Sequence, residues 1–123
     1  MEEPQNPFAN LDEETQRQIQ EIQVYEQGFQ QLLMQKKTFR YELDETDYAI
    51  KELEKTEGEV FKIIAGQVVV KSDKKILLEE MKNKKEMIEL RLKNMDKQEE
   101  EYSKKIEEIR EQIMKKITPK KTE

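Results

Sequence analysis

Carboxylates are the side chains this sequence offers in number for chemistry. Asp and Glu total 28, against no Cys and no His. A carboxylate can serve as a general base or bind a hard cation. Without Cys there is no disulfide, thiolate nucleophile, zinc finger or iron–sulfur site. Without His the commonest general base and transition-metal ligand are both missing. The carboxylates also have no place to converge. They are interleaved with 23 Lys and Arg, for a net charge of −5, so they form solvated faces rather than the wall of a concave pocket. No catalytic residue, metal site or cofactor is expected, and the chain is not expected to be an enzyme.

The few apolar residues matter next, and what they can do depends on where they sit. Of the 123 residues only 34% are hydrophobic, while 41% are charged. An ordinary compact domain is roughly half apolar and about a quarter charged. The balance fits either a disordered chain or an elongated helical one that buries a narrow stripe. The interleaved charges argue against a nucleic-acid partner, whose binding needs a basic stripe. Uninterrupted apolar runs such as Ile63-Ile64-Ala65 and Val68-Val69-Val70 are far too short for a membrane span, which takes about 20 residues. The start Met1-Glu2-Glu3-Pro4 has no apolar h-region, so no signal peptide is expected. A chain without Cys is compatible with a reducing cytosol, and a cytoplasmic location is expected.

Periodicity favours the elongated helix. The prolines are Pro4, Pro7 and Pro119, so nothing breaks a helix across the interior. Residues 1–9 read as a tail and 10–57 as a first helix, opening at Asn10 with Glu13 three residues on. Its heptad places Leu11, Gln18, Tyr25, Leu32, Phe39, Thr46 and Leu53 at d. Thr15, Ile22, Phe29, Lys36, Leu43, Ile50 and Glu57 fall at a. Gly58 suits the left-handed position after the helix. A second helix over 73–118 opens near Ser72 or Asp73. It has Leu78, Lys85, Leu92, Glu99, Ile106 and Ile113 at a, and Met81, Ile88, Met95, Tyr102, Ile109 and Lys116 at d. Thr118-Pro119 ends it, and 119–123 is a second tail.

Between the helices, 59–72 is rich in β-branched residues around Gly66 and reads as a β-hairpin. A two-residue turn at Ala65-Gly66 pairs Phe61 with Val70 and Ile63 with Val68. Those four side chains then form one apolar face, opposite a mixed face that carries Ile64 and Val69. Ala is a poor left-handed turn residue, which leaves a longer loop open.

The two heptads agree with each other. Folding the chain back about Ala65-Gly66 makes facing residues sum to 131, which sets Leu53 against Leu78, Leu43 against Ile88 and Ile22 against Ile109. Each pair matches an a with a d position, as an antiparallel coiled coil requires. Thr46 meets Lys85, while Lys36 faces Met95 and Glu99 faces Leu32 as mismatches. Gly28, beside the seam, weakens the helix by up to ~1 kcal/mol relative to Ala. At about 1.5 Å per residue the expected stalk is roughly 60–70 Å long. The fold class is therefore α-dominated: a long antiparallel two-helix coiled coil joined by a β-hairpin. An isolated two-stranded hairpin is marginal in water, and its edges and apolar face call for partners. Phe61, Ile63, Val68 and Val70 are thus the expected oligomerisation site, with Ile76 and Leu77 helping that end to dock.

These residues carry a resemblance. Val60-Phe61-Lys62, Gly66 and Val68-Val69-Val70-Lys71 are similar to the hairpin pattern V-[YF]-K-x-x-G-x, three apolar residues, then K or R, of β-type subunits of the prefoldin family. Three residues rather than two separate Lys62 from Gly66. Glu89-Leu90-Arg91-Leu92 and Lys97-Gln98-Glu99-Glu100 resemble the family's second-helix pattern. The resemblance implies an ATP-independent hexameric chaperone of two α-type and four β-type subunits. Hairpins would join there into intersubunit β-barrels. Non-native polypeptides would be held at the stalk tips and passed to a group II chaperonin. On that reading Phe8, Leu11, Ile19, Ile113, Met114 and Ile117 are the client-binding candidates. Lys115, Lys116, Lys120 and Lys121 are candidates for touching the chaperonin. The competing reading is a structural coiled-coil tether with no affinity for unfolded chains.

Overall fold

The computed structural model describes residues 12–117. Its elements are α1 (Glu13–Lys55), β1 (Val60–Ile64), β2 (Val68–Ser72) and α2 (Lys74–Ile117). Asp12 caps α1, with its Oδ1 accepting the Thr15 N–H at 2.8 Å. Glu13 and Glu14 in the first turn suit the positive end of the helix dipole. The cap expected at Asn10 lies outside the described residues, and the observed cap is Asp12. At the other end of α1 the Lys74 ammonium donates to the Glu54 and Thr56 carbonyls at 3.3 and 2.8 Å, satisfying acceptors that a helix end leaves open. Gly58 then turns the chain at φ +111°, which an L side chain tolerates poorly. Asp73 caps α2 through Oδ1, which accepts the Lys75 and Ile76 amides at 2.8 and 3.4 Å.

The chain forms two compact units. One holds the described residues up to Leu33 with those from Lys97 onward; the other is Met34–Asp96. In the first, α1 and α2 meet antiparallel. Gln18 bonds Gln112 at 2.8 Å, Glu26 pairs with Arg110 at 3.2 Å, and the Tyr25 and Tyr102 rings meet edge-on at 5.9 Å. Leu32, Ile109 and Ile113 are buried, and Ile22, Phe29 and Ile106 half-buried. A Cβ at Gly28 would lie 3.0 Å from the Tyr102 ring edge and hydroxyl. The glycine makes room for that ring, a role that helix propensity alone does not reveal.

In the second unit Ile50, Ile88 and Met95 are buried and Phe39, Leu43, Leu53, Leu78 and Leu92 half-buried, again all seam positions. Burying such a side chain fully is worth about 1.5–3 kcal/mol. The polar intruders are accommodated. Lys36, 7% exposed, reaches across to Asp96 at 2.6 Å instead of ending against Met95. That ion pair holds the Asp96 carboxyl below the usual carboxylate range. Lys85 binds Asp47 at 2.7 Å, which raises the lysine above its ordinary value. Thr46, buried at the seam, turns its hydroxyl back to the Glu42 carbonyl at 2.8 Å.

The hairpin departs from expectation by one residue. Ala65 and Gly66 both adopt left-handed φ, +54° and +66°, and the Gln67 amide donates to Ile64 O at 3.1 Å. Pairing resumes with Ile64 opposite Val68, not Gln67, so Phe61 faces Lys71 and Ile63 faces Val69. The turn therefore holds three residues, Ala65, Gly66 and Gln67, rather than two. Directly opposed residues share a face, and a one-residue shift moves a whole strand's side chains to the other face. The expected all-apolar face is therefore split. Phe61 and Ile63 lie with Val69 and Lys71, while Val68 and Val70 lie with Val60, Lys62 and Ile64.

Candidate interaction surfaces

The hairpin concentrates apolar surface. Phe61, Ile63, Val68 and Val70 are all solvent-exposed, joined by Ile64 and Val69. In the observed register exposed apolar side chains stand on both faces of the two-stranded sheet, so neither face suits water. Both hairpin lysines are tied to acids of the same chain, Lys62 to Glu80 at 3.1 Å and Lys71 to Glu59 at 3.0 Å. Such surface pairs add little stability, but they draw the charges aside from the apolar side chains. Val60, at the start of β1, is buried at 6% exposure. Leu77, expected to help dock the hairpin end against neighbours, is also buried at 8%; it belongs to the chain's own packing, and only Ile76 is exposed. Phe61 and Ile63 face Leu77 and Met81 across a groove of about 500 Å³.

Alternation carried through a two-residue turn places Ile64 and Val69 on the mixed face, whereas the observed register sets them on opposite faces. The third residue between Lys62 and Gly66 was the available signal. Ala65, Gly66 and Gln67 form the turn between two strands of five residues each.

The second candidate surface lies in the unit that contains both described helix ends. Met114 and Ile117 are exposed, while Ile19 is half-buried and Ile113 is packed in the seam at 8% exposure. Phe8, Leu11, Lys120 and Lys121 lie outside the described residues. Lys115 is exposed. Lys116 is engaged within the chain, 3.3 Å from Glu14 and 3.7 Å from Asp12. The Thr15 side chain and amide, with Lys116 beyond them, hold the Asp12 carboxyl below its ordinary range. Neither surface brings together groups that could do bond-making chemistry, and among the described residues no group of three or more carboxylates is arranged to hold a metal ion. No helix among them is long and apolar enough to cross a membrane.

Comparison with known proteins places this arrangement. The family model described as "Prefoldin subunit" matches residues 16–120. The prefoldin subunit beta of Thermococcus onnurineus is 33% identical over 113 residues, covering 91% of this chain and 97% of the relative. That of Pyrococcus furiosus is 31% identical over the same shares. The crystal structure of the prefoldin beta subunit from Thermococcus strain KS-1 superposes with a TM-score of 0.82 at 29% identity, covering 90% of this chain and 98% of that one. Helix, hairpin and helix match along nearly the full length of these relatives, which the tether reading does not require, and the chain belongs to the prefoldin family of chaperone subunits.

Proposed function

We propose that the chain works as the β-type subunit of a cytoplasmic, ATP-independent prefoldin hexamer, four copies with two α-type partners. The hairpin is its joint. The observation that carries this is the exposure of six apolar hairpin side chains, distributed over both faces of a sheet with two free edges. Closing several hairpins into an intersubunit β-barrel removes the edges and gives one apolar face an interior to pack against. The other face would lean on the helices of its own and neighbouring subunits. Phe61, Ile63, Val68 and Val70 remain assembly residues on this reading, now as two pairs on opposite faces, with Ile64 and Val69 added.

Non-native polypeptides are held near the helix ends, where Met114 and Ile117 offer exposed apolar contact without a shaped pocket. Such contacts are weak and tolerant of sequence, as a holding chaperone needs. Transfer to a group II chaperonin follows, with Lys115 and Lys116 the described candidates for that contact. Native mass measurement after mixing with an α-type subunit tests the joint. Val68→Asp should keep the helical content yet dissociate the complex. An undisturbed mass would show that the hairpin does not hold the subunits together.

A further inference from the structure

The first helix carries a feature that neither seam nor hairpin uses. Gln16, Gln20, Gln23, Gln27 and Gln30 recur at alternating steps of four and three, forming one row along the outer flank of α1. In a chain that is 41% charged, five successive positions of one row are neutral amides. The next positions of the same row are Met34, Lys37, Tyr41 and Asp44, where the pattern ends. Gln23, Gln27 and Gln30 line an open groove of about 870 Å³, together with Phe29 and Ile106, the paired Glu26 and Arg110, and Glu107.

We propose that this groove binds an extended segment of non-native polypeptide through its backbone. The inference rests on the chaperone role and adds a second holding surface to the exposed helix ends. A glutamine amide offers two donors and an acceptor, so it can pair with either half of a peptide group. From Gln23 to Gln30 the wall is about 10 Å long, and an extended chain advances about 3.3 Å per residue, so three residues lie along it. Their amides meet the glutamines while alternate side chains reach the apolar floor at Phe29 and Ile106. That division, backbone for affinity and every second side chain for contact, is how extended peptides are commonly bound. Glutamines of this unit already bond amide to amide across the helices, Gln18 donating to Gln112 at 2.8 Å. The glutamines add no charge, and of the three ionic side chains in the groove Glu26 and Arg110 pair with each other, so acidic and basic segments should be accepted to similar degrees. Single grooves bind weakly, and several subunits of one complex make the sum strong.

The test uses the full chain assembled with an α-type partner and a permanently unfolded probe, reduced and carboxymethylated lactalbumin. A photo-crosslinking residue at position 27 should capture the probe. Gln23→Ala, Gln27→Ala and Gln30→Ala together should weaken probe binding at least fivefold with the complex mass unchanged. Two unfolded peptides of equal length, one Lys-rich and one Glu-rich, should bind within about threefold of each other. Capture at position 114 but not at 27 would overturn the groove and leave the holding role intact. No capture at either position, with no suppression of aggregation, would instead remove the holding role itself. Cross-links from position 27 to another copy of the chain, or a tenfold charge preference lost in the triple variant, would equally overturn the proposal.

Discussion

Gly28→Ala should fail to stabilise α1, although a glycine in the middle of a 43-residue helix ordinarily does harm. Replacing an interior helical Gly by Ala gains about 0.8–1.0 kcal/mol from propensity alone. Here the new methyl would sit 3.0 Å from the Tyr102 Cε1 and OH and 3.2 Å from Cζ. Carbon atoms in comfortable contact lie about 3.5–4.0 Å apart. The ring must retreat by about half an ångström, away from a position shared with the Tyr25 edge. Overpacking of this kind costs about 1–3 kcal/mol. The net expectation is a loss of about 0–2 kcal/mol. In a Tyr102→Leu background all three crowding atoms are gone, so the same substitution should gain about 1 kcal/mol. The double-mutant cycle therefore yields a coupling of about 1–3 kcal/mol. Urea unfolding of the four proteins, followed by circular dichroism, supplies the numbers. Additive effects, with Gly28→Ala gaining its full increment beside Tyr102, would refute the claim that the glycine is there to admit the ring.

Further outcomes follow from the polar seam and the turn. Lys36→Met should leave thermal stability unchanged or raise it by up to about 2 kcal/mol, because a desolvated ammonium gives way to an apolar side chain at a core position; a sharp loss of stability would show that the ion pair is a net stabiliser. The Asp96 carboxyl is depressed in the folded chain, so the unfolded chain takes up its proton first as pH falls. Its contribution is complete above the ordinary carboxylate pKa of about 3.9 and disappears as pH drops through the folded value. The gap between the melting curves of wild type and Asp96→Asn should thus be full at pH 6 and narrow as pH falls below the ordinary carboxylate range, and a gap that does not narrow on acidification would contradict the assignment. Ala65→Gly should protect the hairpin amides from exchange by up to about 1 kcal/mol, since it relieves a left-handed alanine; faster exchange would place the strain elsewhere.

The long helices and their seam were legible because a seven-residue repeat carries its own phase check. Two heptads assigned separately predicted facing pairs near a constant sum. Cross-helix contacts such as Phe39 with Arg91 in one unit and Gln18 with Gln112 in the other fall within one of it. Hairpin register was not legible in the same way. Alternation has a period of two, so a single extra residue at Gln67 inverts the assignment of β2 without altering its composition. Leu77 was misplaced for a related reason: a position one residue off the seam can turn inward at the first turn of a helix, where the neighbouring strand adds cover. Asn10 and Asp12 are both good caps, and type alone did not choose between them. Lys36 looks like a mismatch when pairing is read straight across, whereas its ammonium reaches to Asp96, just as that of Lys85, set against Thr46, reaches to Asp47.

Holding of non-native polypeptide is read most directly from the light scattering of a denatured enzyme diluted into buffer that contains the assembled complex and no nucleotide. The full complex should suppress the scattering. A complex lacking residues 1–18 and 110–123 of this chain should lose suppression in proportion to the holding surface removed, at unchanged oligomer stoichiometry. A correctly assembled full-length complex that leaves the scattering as it is in buffer alone would contradict the chaperone role.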